Sequence, residues 1–265
     1  MAHRGYRWSA LLSVFAAICL LGPRPGVARP SPSDPPISPL TLAQVVDKMI
    51  VKNAARAVAL ERYTNRRLYV LDYKGFPTGL HAEMVVDMDF SAPATKSFTV
   101  VSETGSKYLM NLIFKRLMES EQEAQSNENR DRVNLTTQNY IFKSMEYQPA
   151  PDGCSYVLTL EPKTPSKFLF RGRVWVDSKD FAVCRIEAEP AKNPSFWIKK
   201  TEIHHSYSKV GDFWLPAENL SVSTMRFAGR ATLTIEYQKY EIVAARTVGE
   251  PVSGAGSPNN PDSRH

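Results

Sequence analysis

The sequence predicts an α+β fold in which one large antiparallel sheet curls into an open or half-closed barrel and two helices cover one face. Three observations carry this. From Arg66 onward most of the chain alternates apolar and polar residues with a period of two, the mark of half-buried antiparallel strands. Only residues 41–62 and about 107–124 show helical spacing instead. About nine or ten strands can be counted, too many for a twisted sheet to stay flat.

Each element has its own warrant. Thr41 and Gln44 stand at capping-box spacing, and Leu42, Val46, Met49, Ile50, Ala57 and Leu60 recur on one helical face, which predicts a helix over 41–62. Residues 67–75 read as a strand and Phe76-Pro77-Thr78-Gly79 as a turn. The cleanest alternation follows: Leu80, Ala82, Met84, Val86, Met88 and Phe90 share one face, while His81, Glu83, Asp87 and Asp89 share the other. A strand over 96–103 turns Phe98 and Val100 inward. Leu109, Leu112, Ile113 and Leu117 give the second helix its apolar stripe, and its acidic end, Glu119 to Glu123, reads as solvated. Strands are then expected near 139–147, 154–161, 167–177, 181–189, 196–208, 213–227 and 230–242. Phe168, Phe170 and Val174 face one way in the third of these, as do Ala231, Leu233, Ile235 and Tyr237 in the last. The tail, 246–265, is rich in Gly, Pro, Ser and Asn and is expected to be disordered.

The 265 residues are 43% hydrophobic, enough for a core. No apolar run reaches the roughly 20 residues of a spanning helix. Residues 1–28 have the form of a secretory signal. Arg4 and Arg7 precede the apolar run from Ala10 to Leu21, and Val27-Ala28 offers a cleavage site after Ala28. Ile18 before Cys19 does not suit lipid attachment, so a soluble exported protein is expected. Removing 1–28 removes Arg4, Arg7 and Arg24 and no acid, taking the formal charge from +6 to +3. That balance gives little support to nucleic-acid binding. Residues 29–40 form a Pro-rich leader, and 41–245 a single domain expected to be monomeric. Cys154 and Cys184 fall on the first and third strands of a meander, roughly 9–10 Å apart. Bridged cysteines need α-carbons within about 7 Å, so two free thiols are expected.

Catalytic patterns are few. The chain has no GxSxG elbow, phosphate-binding Gly-rich loop, HExxH or CxxC. His204 and His205 are neighbours on a strand and point to opposite faces, so they do not form a metal pair. No catalytic residue, metal or cofactor is expected, and the protein reads as a non-enzyme. Asp87 with Asp89 reads as a solvated surface pair. Trp175 is odd, because it lies on the polar face of its strand and can stack on Arg173. The concave side of a curled sheet that two helices do not fill would be an apolar cavity. Met84, Val86, Met88, Phe90, Phe98, Phe168, Phe170, Val174, Leu233 and Ile235 are the expected lining, soft enough for an acyl chain.

The stretches RGRVWVD (171–177) and FAVCRIE (181–187) resemble the core of the LolA-like proteins. The segments 61–77, 190–219 and 229–242 are similar to the outer-membrane lipoprotein-sorting branch of that superfamily. The resemblance covers nearly all of 41–243. It implies an unclosed half β-barrel lidded by helices, and a periplasmic carrier whose cargo is lipid or acylated lipoprotein. It also admits an RseB-like sensor or scaffold that binds another envelope protein. In the lipoprotein carriers a strand arginine clamps a helical lid. Arg66 and Arg67 both lie in a strand here, and the motif matches neither one to that role.

Overall fold

The computed structural model describes residues 40–247, apart from 77, 94, 125–128, 194–195, 197 and 227–228. The predicted signal at 1–28 and leader at 29–39 lie outside the described residues, as does the tail from 248. Among the described residues the order is α1 (Leu42–Ala59), β1 (Leu60–Lys74), β2 (Leu80–Ser91), β3 (Thr95–Gly105), α2 (Lys107–Leu109), a π-helical turn (Met110–Phe114), α3 (Lys115–Ala124) and α4 (Arg130–Val133). Then come β4 (Tyr140–Tyr147), β5 (Tyr156–Pro162), β6 (Phe170–Val176), β7 (Val183–Pro190), β8 (Ile198–Val210), β9 (Phe213–Met225) and β10 (Arg230–Ala245).

The ten strands form one antiparallel sheet in the order β3-β2-β1-β10-β9-β8-β7-β6-β5-β4. Chain neighbours pair throughout, except that β10 returns to pair with β1 and β3 and β4 stay apart as the two free edges. The curled, unclosed sheet expected from the sequence is therefore present. The connection between the free edges carries α2, the π-helical turn, α3 and α4.

Register places one continuous row across the sheet: Met84, Tyr69, Ile235, Asn219, His205, Ile186, Val174 and Leu158. This row marks the inner face, and both helical segments pack on it. Helix α1 is capped as predicted, with the Gln44 N–H donating to the Thr41 hydroxyl and the Thr41 N–H to the Gln44 side chain. It buries Val45, Val46 and Met49 against Tyr140, Leu158, Leu160, Val174 and Ile186. Each such side chain contributes about 1.5–3 kcal/mol on burial. The segment from α2 to α3 buries Leu109, Met110 and Phe114 on Tyr69, Leu71, Ala82, Met84 and Val86. A third cluster at one end of the sheet joins Leu60, Tyr63, Met88, Phe213 and Leu215.

Four expectations need correction. The first helix ends at Ala59, because Leu60 already enters the sheet opposite Ala245. Phe168 does not lie in β6. The chain turns there, with the Leu169 N–H donating to the Ser166 carbonyl, so Leu169 takes the buried place and Phe168 sits under the Lys167 ammonium. Val100 is inward by register but 43% exposed, because β3 is an edge strand that the helices only partly cover.

Finally, Cys154 and Cys184 are not free thiols: they form a disulfide, with α-carbons 6.2 Å apart. Cys154 lies in the turn before β5 rather than on the strand, so interstrand spacing does not hold it away. Cys184 sits at a register shift between β6 and β7, which turns it to the outer face. There the disulfide joins Val157, Trp175 and Trp214 in a small satellite cluster. Trp175 is buried in it, with the Arg173 and Arg185 guanidiniums 5.0 and 3.9 Å from its ring centroid.

Candidate functional site

The expected lining residues divide between the clusters. Met84, Val86, Leu233 and Ile235 lie under α2 and the π-helical turn, with Phe98 at the margin. Met88 and Phe90 belong to the end cluster. Phe170 and Val174 lie under α1. Phe168 enters none of these. All nine remaining residues share the inner face, but α1 and the α2–α3 segment stand over separate parts of it. Between them run β8 and β9, whose inner side chains enter neither helix-covered cluster except for Tyr207 at the edge of one.

Helix α3 rests Leu117 and Met118 on the inner-face cluster, but none of its side chains is fully buried, and charge supplies the buried part of its hold. Arg67 of β1 points inward beside Tyr69 and is only 2% exposed. Its guanidinium donates to both Glu121 carboxylate oxygens, at 2.7 and 3.2 Å, and to the Tyr69 hydroxyl at 3.3 Å. The rings of Phe98 and Tyr237 flank it at 5.3 and 4.9 Å. Lys96 of β3 adds a second contact to Glu121 at 2.6 Å. Burial alone would raise the Glu121 carboxyl, but Lys96 and Arg67 outweigh it and hold the group down at about 2. Farther along α3, Glu123 reaches Lys167, ahead of β6, at 2.8 Å. Helix α3 thus runs from the β1–β3 side of the sheet to the β6 side, with one buried pin and one exposed one. The acidic end expected to be solvated therefore contains the residue that fixes the helix.

The remaining candidates, His205 apart, fall on the outer face. Asp87 and Asp89 are paired with Arg66 and Arg62, at 2.6 and 2.7 Å. They border a polar cleft of about 430 Å³, lined also by Thr64, Ser97, Thr99 and Lys239. Its charged side chains are on the outer face, and Met88 is the one residue of the predicted apolar lining that borders it. His204 is exposed and His205 half-buried, as their alternation requires. Among the described residues no three His, Cys, Asp or Glu side chains gather in a way that could hold a metal, and no helix is long and apolar enough to cross a membrane.

Sequence comparison finds no matching family model and no matching curated protein. Structural comparison finds distant similarity to a DUF1329 family protein from Desulfovibrio piger, with a TM-score of 0.37, 12% identity, and coverage of 79% of this chain and 95% of that one. The chain is also similar to a LolA superfamily protein from Nitrosomonas europaea (TM-score 0.31, 9% identity, coverage 77% and 94%). A third similarity is to an outer membrane lipoprotein-sorting protein domain from Vibrio parahaemolyticus (0.34, 10%, coverage 75% and 93%).

Proposed function

We propose that this protein is a non-enzymatic periplasmic carrier that takes up the acyl chains of a lipid or lipoprotein on the inner face of its half-barrel. The observation that carries this reading is the uneven cover of that face. Helix α1 is seated on a buried cluster, whereas α3 has no fully buried side chain, rests only Leu117 and Met118 partly buried on the face, and is pinned through Arg67 and Glu121. A cover of that kind can be displaced without unfolding the sheet. Each acyl methylene that replaces it contributes about 0.8 kcal/mol, so one long chain can compete with the helix. The helix in turn competes with the cargo, which keeps net affinity low enough for release. Met84, Val86, Met88, Phe90, Phe98, Phe170, Val174, Leu233 and Ile235 form the lining in this reading, and Phe168 stands at its margin.

The test uses one half-buried residue from each helix-covered cluster. Leu233→Glu and Phe170→Glu place a carboxylate on the inner face at sites with room to keep the fold. Uptake of palmitate bearing a fluorophore is expected to fall at least tenfold in both variants, with circular dichroism unchanged. Full uptake in both folded variants would contradict the reading. It would favour a sensor or scaffold that binds an envelope protein through another surface.

A further inference from the structure

The second half of strand β9 is inverted, after Phe213 and Leu215 at its start have turned inward. On the other long strands the apolar residues face inward, but on β9 Asn219, Ser221 and Ser223 face inward while Leu220 and Val222 face out. A shift of one residue would reverse this and bury the leucine and valine. Opposite them on β8 stand His205, Ile203 and Thr201. The result is a mainly polar stripe two strands wide, about 10 Å across, between the clusters under α1 and under α2 with the π-helical turn. Ile235, Leu233 and Ala231 border it on β10, and Ile186 and Ala188 on β7.

The stripe is partly satisfied within itself. The Thr201 and Ser223 hydroxyls share a hydrogen bond of 2.8 Å, and the Ser221 hydroxyl donates to the Asn219 side-chain oxygen at 3.1 Å. His205 is stacked between Tyr207 and Tyr237, with ring centroids 4.6 and 6.3 Å away. Its Nε2 is shielded from solvent and meets no hydrogen-bond partner among the described residues. Burial pushes this imidazole down to about 4, so it is neutral at ordinary pH. A buried polar atom with no partner is destabilising until something pairs with it. Asn219, Ser221 and Ser223 remain only half-buried, so a ligand lying along the face reaches them, and the His205 ring lies beside them.

We infer that this stripe is a binding site for the neutral ester or amide linkage of an acylated ligand, with the chains laid on the apolar strands to either side. The inference rests on the carrier reading and adds to it which part of the cargo is recognised. Three features fix the class. Hydroxyls, an amide and a neutral imidazole offer donors and acceptors but no charge. Arg67, the nearest buried cation, is already taken by Glu121. A phosphate or carboxylate placed here would be buried without a counter-charge, which is strongly unfavourable. The linkage of an acyl ester or amide is polar, uncharged and narrow, and it lies where apolar chains meet a polar group.

The test compares an uncharged diacylglycerol with its dialkyl-ether counterpart of equal chain length, which lacks the ester carbonyls. Both compete for the protein against fluorescent palmitate. The ester is expected to bind about tenfold more tightly, the effect of one or two hydrogen bonds. In Ser221→Val and His205→Phe this preference is expected to shrink below about threefold while the ether binds as before. Should His205→Phe fail to fold, Thr201→Val and Ser221→Ala make the same measurement. Equal binding of ester and ether by the wild-type chain would overturn the stripe and leave the carrier reading standing. So would an undiminished preference in the folded variants. Binding of neither compound would overturn the carrier reading itself, and the stripe with it.

Discussion

One buried cation, Arg67, pins α3 over the inner face. Glu121→Gln leaves that guanidinium with a weaker acceptor in a dry site, which should cost roughly 3 kcal/mol. Urea unfolding measures the loss, and hydrogen exchange should speed across residues 107–124 while β5–β7 stay protected. The same pair sets an acid limit. The folded Glu121 carboxyl lies near 2, below its ordinary 4.5, so its contribution is complete above about 4.5 and lost as pH falls toward 2. His205 acts at higher pH. Its folded value, about 4 against an ordinary 6.5, means the unfolded chain binds the extra proton between those values. Stability should therefore drop as pH falls from 6.5 to 4, by roughly 3 kcal/mol in full, and His205→Phe should flatten that slope. Neither role was readable from local pattern. Arg67 does share a face with Tyr69 and Leu71, which marks a charge turned inward. Its partner, however, lies 54 residues away on a helix end that looks solvated.

The strands were legible because alternation is a local property that burial of one face enforces. Their ends were not, because bulges and turns set them. The register shift between Trp175 and Val176 turned Cys184 outward, and the turn before β5 freed Cys154 to meet it. Period-two reasoning carried a straight strand through both places. The disulfide closes a segment of 30 residues, so Cys154→Ser with Cys184→Ser should lower stability by about 2–4 kcal/mol. A reductant should do the same to the wild-type chain and leave the double variant unchanged. Strand β9 carries the opposite expectation. If its inward polar residues are kept for binding, Ser221→Val should raise stability, by about 1 kcal/mol, by restoring apolar cover and strand preference. A loss of stability would mean that the stripe serves the fold.

At the scale of the molecule, the sheet order explains why a cover is needed at all. The return of β10 to β1 joins two meanders, β1–β3 and β4–β10, into one sheet and leaves β3 and β4 as its two edges, joined by the helical connection. An unclosed curled sheet exposes an apolar face that one helix cannot hide, and α1 hides only the β4–β7 side. The segment from α2 to α3 covers part of the rest, through the buried Leu109, Met110 and Phe114 and, on α3, through charges that can be exchanged. The sequence makes the sheet, the two helical stretches and the inward set of side chains legible. It does not reveal how much of the face stays covered, because that depends on contacts between remote elements. The most direct test is mass spectrometry of an organic extract from the protein, exported into a bacterial periplasm and purified without detergent. The account predicts a near-stoichiometric acylated lipid or peptide carrying an ester or amide linkage, retained more strongly when Glu121 is changed to Gln. An extract with no lipid, unchanged after incubation with mixed envelope lipids, would show that the helices fill the inner face and would contradict the carrier reading.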